Sequence, residues 1–265
     1  MVDFMIEITR DAGVATITLR RPEAKNALTL ADFTELEARL REVANCAEDR
    51  VLILTGAGDA FCSGADLSGS PDAAARLAEG PVGLTGWVRT TTAAALALHQ
   101  LPKPTIAAVN GVAAGGGCNL ALGCDLVFAA ASARFVQIFV NRGLALDYAG
   151  SWLLPRLVGL QRAKDLAFRG DPVSAEEALA MGLVLEVVPD DALLSRVTDY
   201  AQGLAAKPPV ALALIKRGLD RATHLSFEEA LEYEIESQAV CMGTEDFREA
   251  MSAWLQKRNG EYHGR

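Results

Sequence analysis

Two apolar runs, each followed at once by small residues and glycine, limit the folds open to this chain. They are Val51–Thr55, which ends in a Gly-Ala-Gly turn, and Thr105–Val109, which precedes a glycine-rich turn and a helix predicted from about Gly116 to Leu122. Continuous apolar strands are covered on both faces, and a third strand is predicted over Leu126–Ala130. This alternation of strand, turn and helix predicts a layered α/β fold with right-handed connections.

The N-terminal part of the chain contains two further local patterns. Apolar and polar residues alternate on both sides of Asp11–Gly13, which predicts a β-hairpin. Thr29 is predicted to cap a helix that continues to about Ala47, with Asp32 in its first turn. We expect this hairpin and helix to precede the first buried strand.

The region between the two apolar runs is less regular. Residues 59–69 are predicted to form a loop, and the segment from Pro71 to Gln100 is expected to begin irregularly, because Gly80, Pro81 and Gly83 interrupt its helical pattern, and to end as a helix. Its length suggests a lid or pocket wall.

The C-terminal part is predicted to be mainly helical from Arg162 onward, with helix caps at Ser174, Ser226 and Thr244. We expect an α/β core over residues 1–195 that carries the chemistry. Residues 196–265 are expected to form a helical region that closes the pocket and supports oligomerisation.

Composition excludes several functional classes. A chain of 265 residues with 51% hydrophobic and 22% charged residues predicts an ordered globular protein. Its formal charge of −9 and dispersed basic residues argue against nucleic acid as a partner. The first ten residues lack the features of a signal peptide, and no apolar stretch is long enough to span a bilayer, so we expect a cytoplasmic location. The five cysteines lack paired spacing, which favours reduced thiols and no metal site.

Three successive glycines, Gly115–Gly117, lie where a buried strand is predicted to meet a helix. Backbone N–H groups at a helix start attract negative charge, although such glycines also permit close helix packing. The spacing matches neither a dinucleotide fingerprint nor a P-loop. A second small-residue loop, Asp59–Leu67, also follows a buried strand, and two such junctions can direct two N–H groups at one oxyanion.

The segments FCSGADL and KPTIAAVNGVAAGGGCNLALGCD resemble the crotonase family, also called the enoyl-CoA hydratase/isomerase family. The resemblance extends from RPEAKNAL near the N-terminus to TEDFREAMSAWLQKR near the C-terminus. It implies a spiral of ββα units with a helical C-terminal region, assembled as homotrimers or as hexamers of paired trimers. It also implies an acyl-CoA thioester as substrate, with no metal and no redox cofactor.

The resemblance also implies site residues. Ala65 and Gly116 correspond to the oxyanion-hole donors, and the loop 21–28 to the one that receives the adenine and phosphates of CoA. Trp254 and Lys257 match C-terminal positions that contact CoA, often from a neighbouring subunit. The residues expected to bind substrate or CoA are Arg21, Ala24, Lys25, Ala27, Cys62, Gly64, Asp66, Leu67, Gly115, Phe139, Tyr148, Trp254 and Lys257.

Departures from the family pattern bear on the reaction. Where hydratases of this family carry two glutamates, this chain has Asn119 and Phe139, neither of which can act as a carboxylate base. Asp147, in GLALDYAGSWLLPR, corresponds to the aspartate of isomerases similar to those of phenylacetate breakdown. Asp147 could instead be an exposed turn residue or helix cap, Asn119 a core hydrogen-bonding group, and Tyr148 a packing residue.

We therefore expect double-bond isomerisation of an enoyl-CoA through an enolate, with Asp147 as the base and Asn119 as a second catalytic candidate. One alternative is an enoyl-CoA hydratase that uses Asp147, with or without Asn119, to activate water. The other is a catalytically weak acyl-CoA-binding protein.

Overall fold

The protein is a mixed α/β structure, and its computed structural model describes residues 5–67 and 80–265. The strands are β1 (Ile6–Asp11), β2 (Val14–Leu19), β3 (Val51–Gly56), β4 (Ala60–Cys62), β5 (Thr105–Val109), β6 (Val112–Ala114), β7 (Leu126–Ala130), β8 (Arg134–Val136), β9 (Pro172–Ser174) and β10 (Glu186–Val188). The helices are α1 (Leu30–Asn45), α2 (Gly80–His99), α3 (Gly116–Leu122), α4 (Gly150–Val158), α5 (Leu160–Arg169), α6 (Ala175–Met181), α7 (Leu193–Ala205), α8 (Pro209–Ala222), α9 (Phe227–Met242) and α10 (Glu245–Gln256).

Two sheets build the core. The six-stranded sheet has the order β1-β2-β3-β5-β7-β10 and the smaller sheet the order β4-β6-β8-β9. The β1–β2 and β8–β9 pairs are antiparallel, and the other pairs are parallel. Three times along the chain, a strand of the large sheet is followed directly by a strand of the small one. This confirms the crotonase-like spiral expected from the sequence.

The predicted buried strands are confirmed, because every residue of β3 and β5 is buried. The short strands of the smaller sheet were missed. In particular, β4 lies inside the segment expected to be a loop. Strands of three residues contain too little alternation to be recognised from sequence.

The N-terminal predictions are also confirmed. Ala12 and Gly13 connect β1 and β2 in left-handed conformations, with φ of 46° and 81°. Thr29 caps α1 through a reciprocal pair of bonds. Its N–H donates to Asp32 Oδ2 over 2.8 Å, and Asp32 N–H donates to Thr29 Oγ1 over 3.3 Å.

Helix α2 departs from the sequence-based expectation. It runs without a break from Gly80 to His99, so Gly80, Pro81 and Gly83 do not interrupt it. Proline is tolerated in the first turn of a helix, because the N–H that it lacks has no intrahelical partner there. The earlier part of the predicted irregular segment lies outside the described residues.

Helix α7, which contains residue 195, packs against the core that includes the large sheet. Val197 and Ala201 of α7 are fully buried in the main core, and α8 to α10 follow it. The predicted caps are present at Ser174 and Ser226, and Thr244 accepts a bond from Phe247 N–H. Within residues 5–67 and 80–265, no helix combines the length and apolarity needed to cross a membrane.

The cap of α1 gives a stability prediction. We expect Thr29→Ala to lower the free energy of unfolding by roughly 1 kcal/mol, because the N–H of Asp32 loses its acceptor. Urea unfolding at one fixed protein concentration measures this. Thr34→Ala on the exposed face of the same helix should leave stability unchanged or raise it. Equal losses in the two variants would contradict the role of the cap.

Candidate active site

Two loops meet at the end of strand β4. Leu28 and Ala65 form a parallel bridge in which Leu28 N–H donates to Gly64 O over 2.9 Å and Asp66 N–H donates to Leu28 O over 2.8 Å. Because a strand's N–H groups point alternately to opposite sides, the N–H of Ala65 faces away from this bridge. The bridge therefore fixes the backbone of Ala65 without using the Ala65 N–H group as a donor.

The second N–H group comes from the start of α3. The first helical bond runs from Asn119 N–H to Gly115 O over 3.1 Å, so the N–H of Gly116 has no partner within the helix. A Cβ on Gly64 would lie 3.3 Å from Gly116 N, which shows how closely the two loops approach. Among the described residues, neither Ala65 N–H nor Gly116 N–H donates a hydrogen bond. Two free donors thus lie on adjoining loops, as an oxyanion hole requires.

Cys62 supports this arrangement. A side chain on Gly117 would overlap the Cys62 carbonyl, so helix α3 begins directly against β4. The Cys62 thiol donates to Asn26 O over 3.2 Å and accepts from Gly64 N–H over 3.4 Å. Burial raises the pKa of the Cys62 thiol to about 12, so it remains a neutral structural group.

A fully buried residue that sequence reasoning missed, Asn26, anchors the loop 21–28. Its amide donates to Ala57 O over 2.9 Å and to Ala60 O over 2.7 Å, and it accepts from Arg21 N–H over 2.8 Å. Its φ is 53°, a left-handed conformation in which asparagine is favoured. Asparagine within a turn was the available signal for this role.

The two basic side chains of the loop 21–28 differ in whether they form an ion pair. Arg21 Nη1 lies 2.6 Å from Asp66 Oδ2, so its charge is already compensated. Lys25 is exposed, and no ion pair within the described part of the chain involves it. Ala27 N–H donates to Ala24 O over 3.1 Å within the turn. Lys25 is therefore the cation of this loop that is available to an anionic ligand.

Asp147 lies just before α4, beside the start of α3. A Cβ on Gly116 would be 3.5 Å from Asp147 Oδ1. Asp147 Oδ1 is buried and has no hydrogen-bond partner among the described residues, and burial raises the pKa of this carboxyl to about 6. A carboxyl group with this pKa can hold or release a proton near neutrality.

Tyr148 closes the same side of the site. A Cβ on Gly116 would lie 3.1 Å from two carbons of its ring. Its hydroxyl donates to Thr91 O over 2.7 Å, and its ring packs against Phe33 at 5.4 Å between centroids. The hydroxyl is thus engaged with the protein.

Asn119 and Gln137 lie behind Asp147, and sequence reasoning missed Gln137. Asn119 Nδ2 donates to Asp147 O over 2.9 Å, and its Oδ1 accepts from Gln137 Nε2 over 2.8 Å. Both side chains are buried. No sequence signal identifies Gln137, because a lone amide matches no motif.

The other predicted residues differ in position. Phe139 is buried, and its ring would be 3.8 Å from a Cβ on Gly115. Leu67 is 62% exposed at the edge of the site. Trp254 is 73% exposed and Lys257 caps the C-terminal end of α10, so neither side chain is part of the buried cluster. Across the two described ranges, no group of three His, Cys, Asp or Glu could hold a metal ion.

Comparison with known proteins gives consistent matches over the full chain. The family model described as enoyl-CoA hydratase/isomerase matches residues 9–265. The chain is similar to 1,2-epoxyphenylacetyl-CoA isomerase of Escherichia coli, with 39% identity over 100% of both chains. It is also similar to short-chain-enoyl-CoA hydratase of Clostridium acetobutylicum, with 37% identity over 96% of this chain and 95% of the other.

Solved structures match equally well. The crystal structure of an enoyl-CoA hydratase from Bacillus anthracis superposes with a TM-score of 0.92 at 34% identity, covering 99% of this chain and 100% of the other. One from Polaromonas gives a TM-score of 0.91 at 32% identity, covering 97% and 99%.

The buried carboxyl gives a pH-dependent prediction. Because the pKa of Asp147 is higher in the folded state than its ordinary value, stability falls as pH rises from about 4 to about 6, and the whole penalty is present above that range. We expect Asp147→Asn to raise the free energy of unfolding by roughly 1 kcal/mol near pH 7.5, since partial exposure screens the penalty, and to change it little near pH 4.

Urea unfolding of both proteins at the two pH values measures this difference. Asp165→Asn is the matched control, because Asp165 is exposed on α5; it should have little effect at either pH. A stabilisation by Asp147→Asn that is the same at both pH values would mean that the charge of Asp147 is not its cause.

Proposed function

The chain belongs to the enoyl-CoA hydratase/isomerase family, also called the crotonase family, and we propose that it moves the double bond of an enoyl-CoA thioester. The observation that carries this proposal is the Asp147 carboxyl group beside Gly116, with its pKa raised to about 6 by burial. Asn119 and Phe139 offer no carboxylate. Isomerisation needs only one group that takes and returns a proton.

The oxyanion hole supplies the electrostatic part of the reaction. The thioester oxygen would accept hydrogen bonds from the N–H groups of Ala65 and Gly116, which have no acceptor within the described residues. Negative charge develops on this oxygen when a proton leaves the neighbouring carbon chain. Backbone donors already held in place stabilise that enolate without reorganising.

Asp147 supplies the proton transfer. Its carboxylate removes a proton from one carbon of a 3-enoyl-CoA, which gives the enolate and a neutral carboxylic acid. The acid then returns the proton at a different carbon as the electrons shift and the double bond moves. No water is consumed, and a pKa of about 6 suits both half-reactions.

The CoA moiety would lie along the loop 21–28. Exposed Lys25 is a partner for its phosphates. Ala24 and Ala27 belong to the same loop, and Leu67 follows the segment that pairs with Leu28. Trp254, which is 73% exposed, and Lys257 at the C-terminal end of α10 would contact CoA bound to a neighbouring subunit.

Hydration is the second candidate, because the similar protein of Clostridium acetobutylicum is named a hydratase. In that reaction Asp147 would activate water, and the product would contain one more water molecule than the substrate. Product mass therefore separates the two reactions, and the chain's lack of acids at 119 and 139 favours isomerisation.

The proposed role of Asp147 predicts a specific loss of activity. We expect Asp147→Asn to lower kcat for isomerisation of a 3-enoyl-CoA by about 10²- to 10⁴-fold, because the base is removed while the oxyanion donors remain. In deuterated water the wild type should exchange deuterium into the acyl chain without a gain of water, and the variant should not. The wild-type kcat should fall as pH drops through about 6.

Asp165→Asn again serves as the control, with kcat expected to match the wild type. Undiminished isomerisation by Asp147→Asn would rule out Asp147 as the base. A 3-hydroxyacyl-CoA as the main wild-type product would instead support hydration.

Assembly gives a further prediction. We propose a homotrimer, or a hexamer of two trimers, as the family resemblance implies, and association would cover the large apolar side chains that helices α8 to α10 expose in the single chain. These are Ile215, Leu219, Phe227, Leu231, Ile235, Val240, Met242, Met251, Trp254 and Leu255. Light scattering should give three or six times the chain mass of 28.1 kDa. A mass equal to that of one chain at micromolar concentration would contradict this assembly.

A further inference from the structure

The segment that carries Asp147 has an unfavourable backbone conformation. Tyr148 and Ala149 have φ of 47° and 60°. Both conformations are left-handed, and each costs a non-glycine residue about 1–2 kcal/mol. Two such residues in succession require contacts from outside the segment to hold them in place.

Those contacts converge on one carbonyl. Asp147 O accepts from Gly150 N–H over 2.9 Å and from Asn119 Nδ2 over 2.9 Å. A side chain on Gly150 would overlap the Asn119 amide, so glycine is required for this approach. Asn119 links helix α3 to the segment before α4, and thus joins the oxyanion-hole helix to the proposed base.

The hydrogen-bond chain has a fixed direction. Asp147 O can only accept, so Asn119 must turn its NH₂ group towards it and its Oδ1 towards Gln137. Gln137 Nε2 donates to that oxygen over 2.8 Å. Asn119 and Gln137 are only 1% and 4% exposed, so little water competes for these bonds.

We propose, resting on the isomerase function above, that Asn119 and Gln137 form an amide chain that positions Asp147 against the substrate. Asn119 is then a positioning residue, which acts through the Asp147 carbonyl and transfers no proton itself. Its donor maintains the left-handed pair Tyr148 and Ala149, and that pair keeps the Asp147 carboxyl beside Gly116.

The surroundings of Asp147 make this role measurable. Among the described residues, no charged group acts on its carboxyl, and the titratable group beside it is the Tyr148 phenol, whose pKa burial raises far above neutrality. The degree of burial therefore controls the pKa of Asp147. If the segment relaxes, the carboxyl becomes more hydrated and its pKa falls.

The test uses Asn119→Leu, which keeps the number and branching of the side-chain heavy atoms but can neither donate nor accept a hydrogen bond. With a 3-enoyl-CoA as substrate, we expect kcat to fall about 10²-fold, because a shift of the base by about 1 Å has an effect of that size. KM should change little, since the oxyanion donors are intact. The acid limb of the pH profile should move to lower pH.

Gln137→Leu leaves Asn119 in place and provides a milder variant. We expect a loss of roughly tenfold with the same direction of pH shift. The double variant should be no worse than Asn119→Leu, because residues that act as one chain are not additive. Asn45→Leu is the matched control, since Asn45 donates to Arg41 O on the exposed side of α1, and it should retain wild-type kcat.

Three results would overturn the proposal: wild-type kcat in Asn119→Leu or in Gln137→Leu, an acid limb still near pH 6 in an impaired Asn119→Leu, or additive losses in the double variant. A lower melting temperature with an unchanged pH profile would indicate packing alone. If Asp147→Asn remains active, the isomerase proposal itself fails. If that variant is inactive while Asn119→Leu behaves as the wild type, only the positioning role fails.

Discussion

The start of helix α3 lies directly against the carbonyl of Cys62, and only glycine at position 117 permits this contact. The approach fixes the helix start relative to the loop that follows β4, and hence the N–H of Gly116 relative to that of Ala65. Parallel pairing of β4 with β6, the strand just before α3, helps to keep this contact in place. The short strands of the smaller sheet thus hold the backbone at Cys62 and the backbone at Gly117 in direct contact, with no room for a side chain between them.

The polar groups buried around this contact differ in whether they have hydrogen-bond partners. Asn26 satisfies three backbone partners, and the Cys62 thiol is neutral and hydrogen-bonded on both sides. Asp147 Oδ1 and Gln137 Oε1, in contrast, are buried without a hydrogen-bond partner among the described residues. Burial without a partner raises the pKa of the Asp147 carboxyl to about 6, and the ionised form therefore lowers stability above about that pH.

The features that could be predicted from the sequence are those encoded by a short local pattern of residues. The apolar runs of β3 and β5, the cap at Thr29 and the glycines at the start of α3 each have a signal within a few residues. Sequence reasoning missed β4, because three residues show no period, and it placed an interruption at Pro81, where the first turn of a helix accepts proline. Gln137 could not be found, because its importance depends on a bond to Asn119, 18 residues away, and lone amides have no motif.

The proposed oxyanion donors and the proposed acid lie on different elements, and the Asn119 amide links them through its bond to Asp147 O. The donors are backbone atoms held by β4 and α3, so their position hardly depends on which side chains the segment before α4 carries. Substitutions in that segment would therefore alter the proposed proton transfer while the backbone donors keep their positions. Under the proposed function, such a division would allow new reactions to evolve by small steps, since a variant that has lost one reaction would still bind and polarise the same thioester.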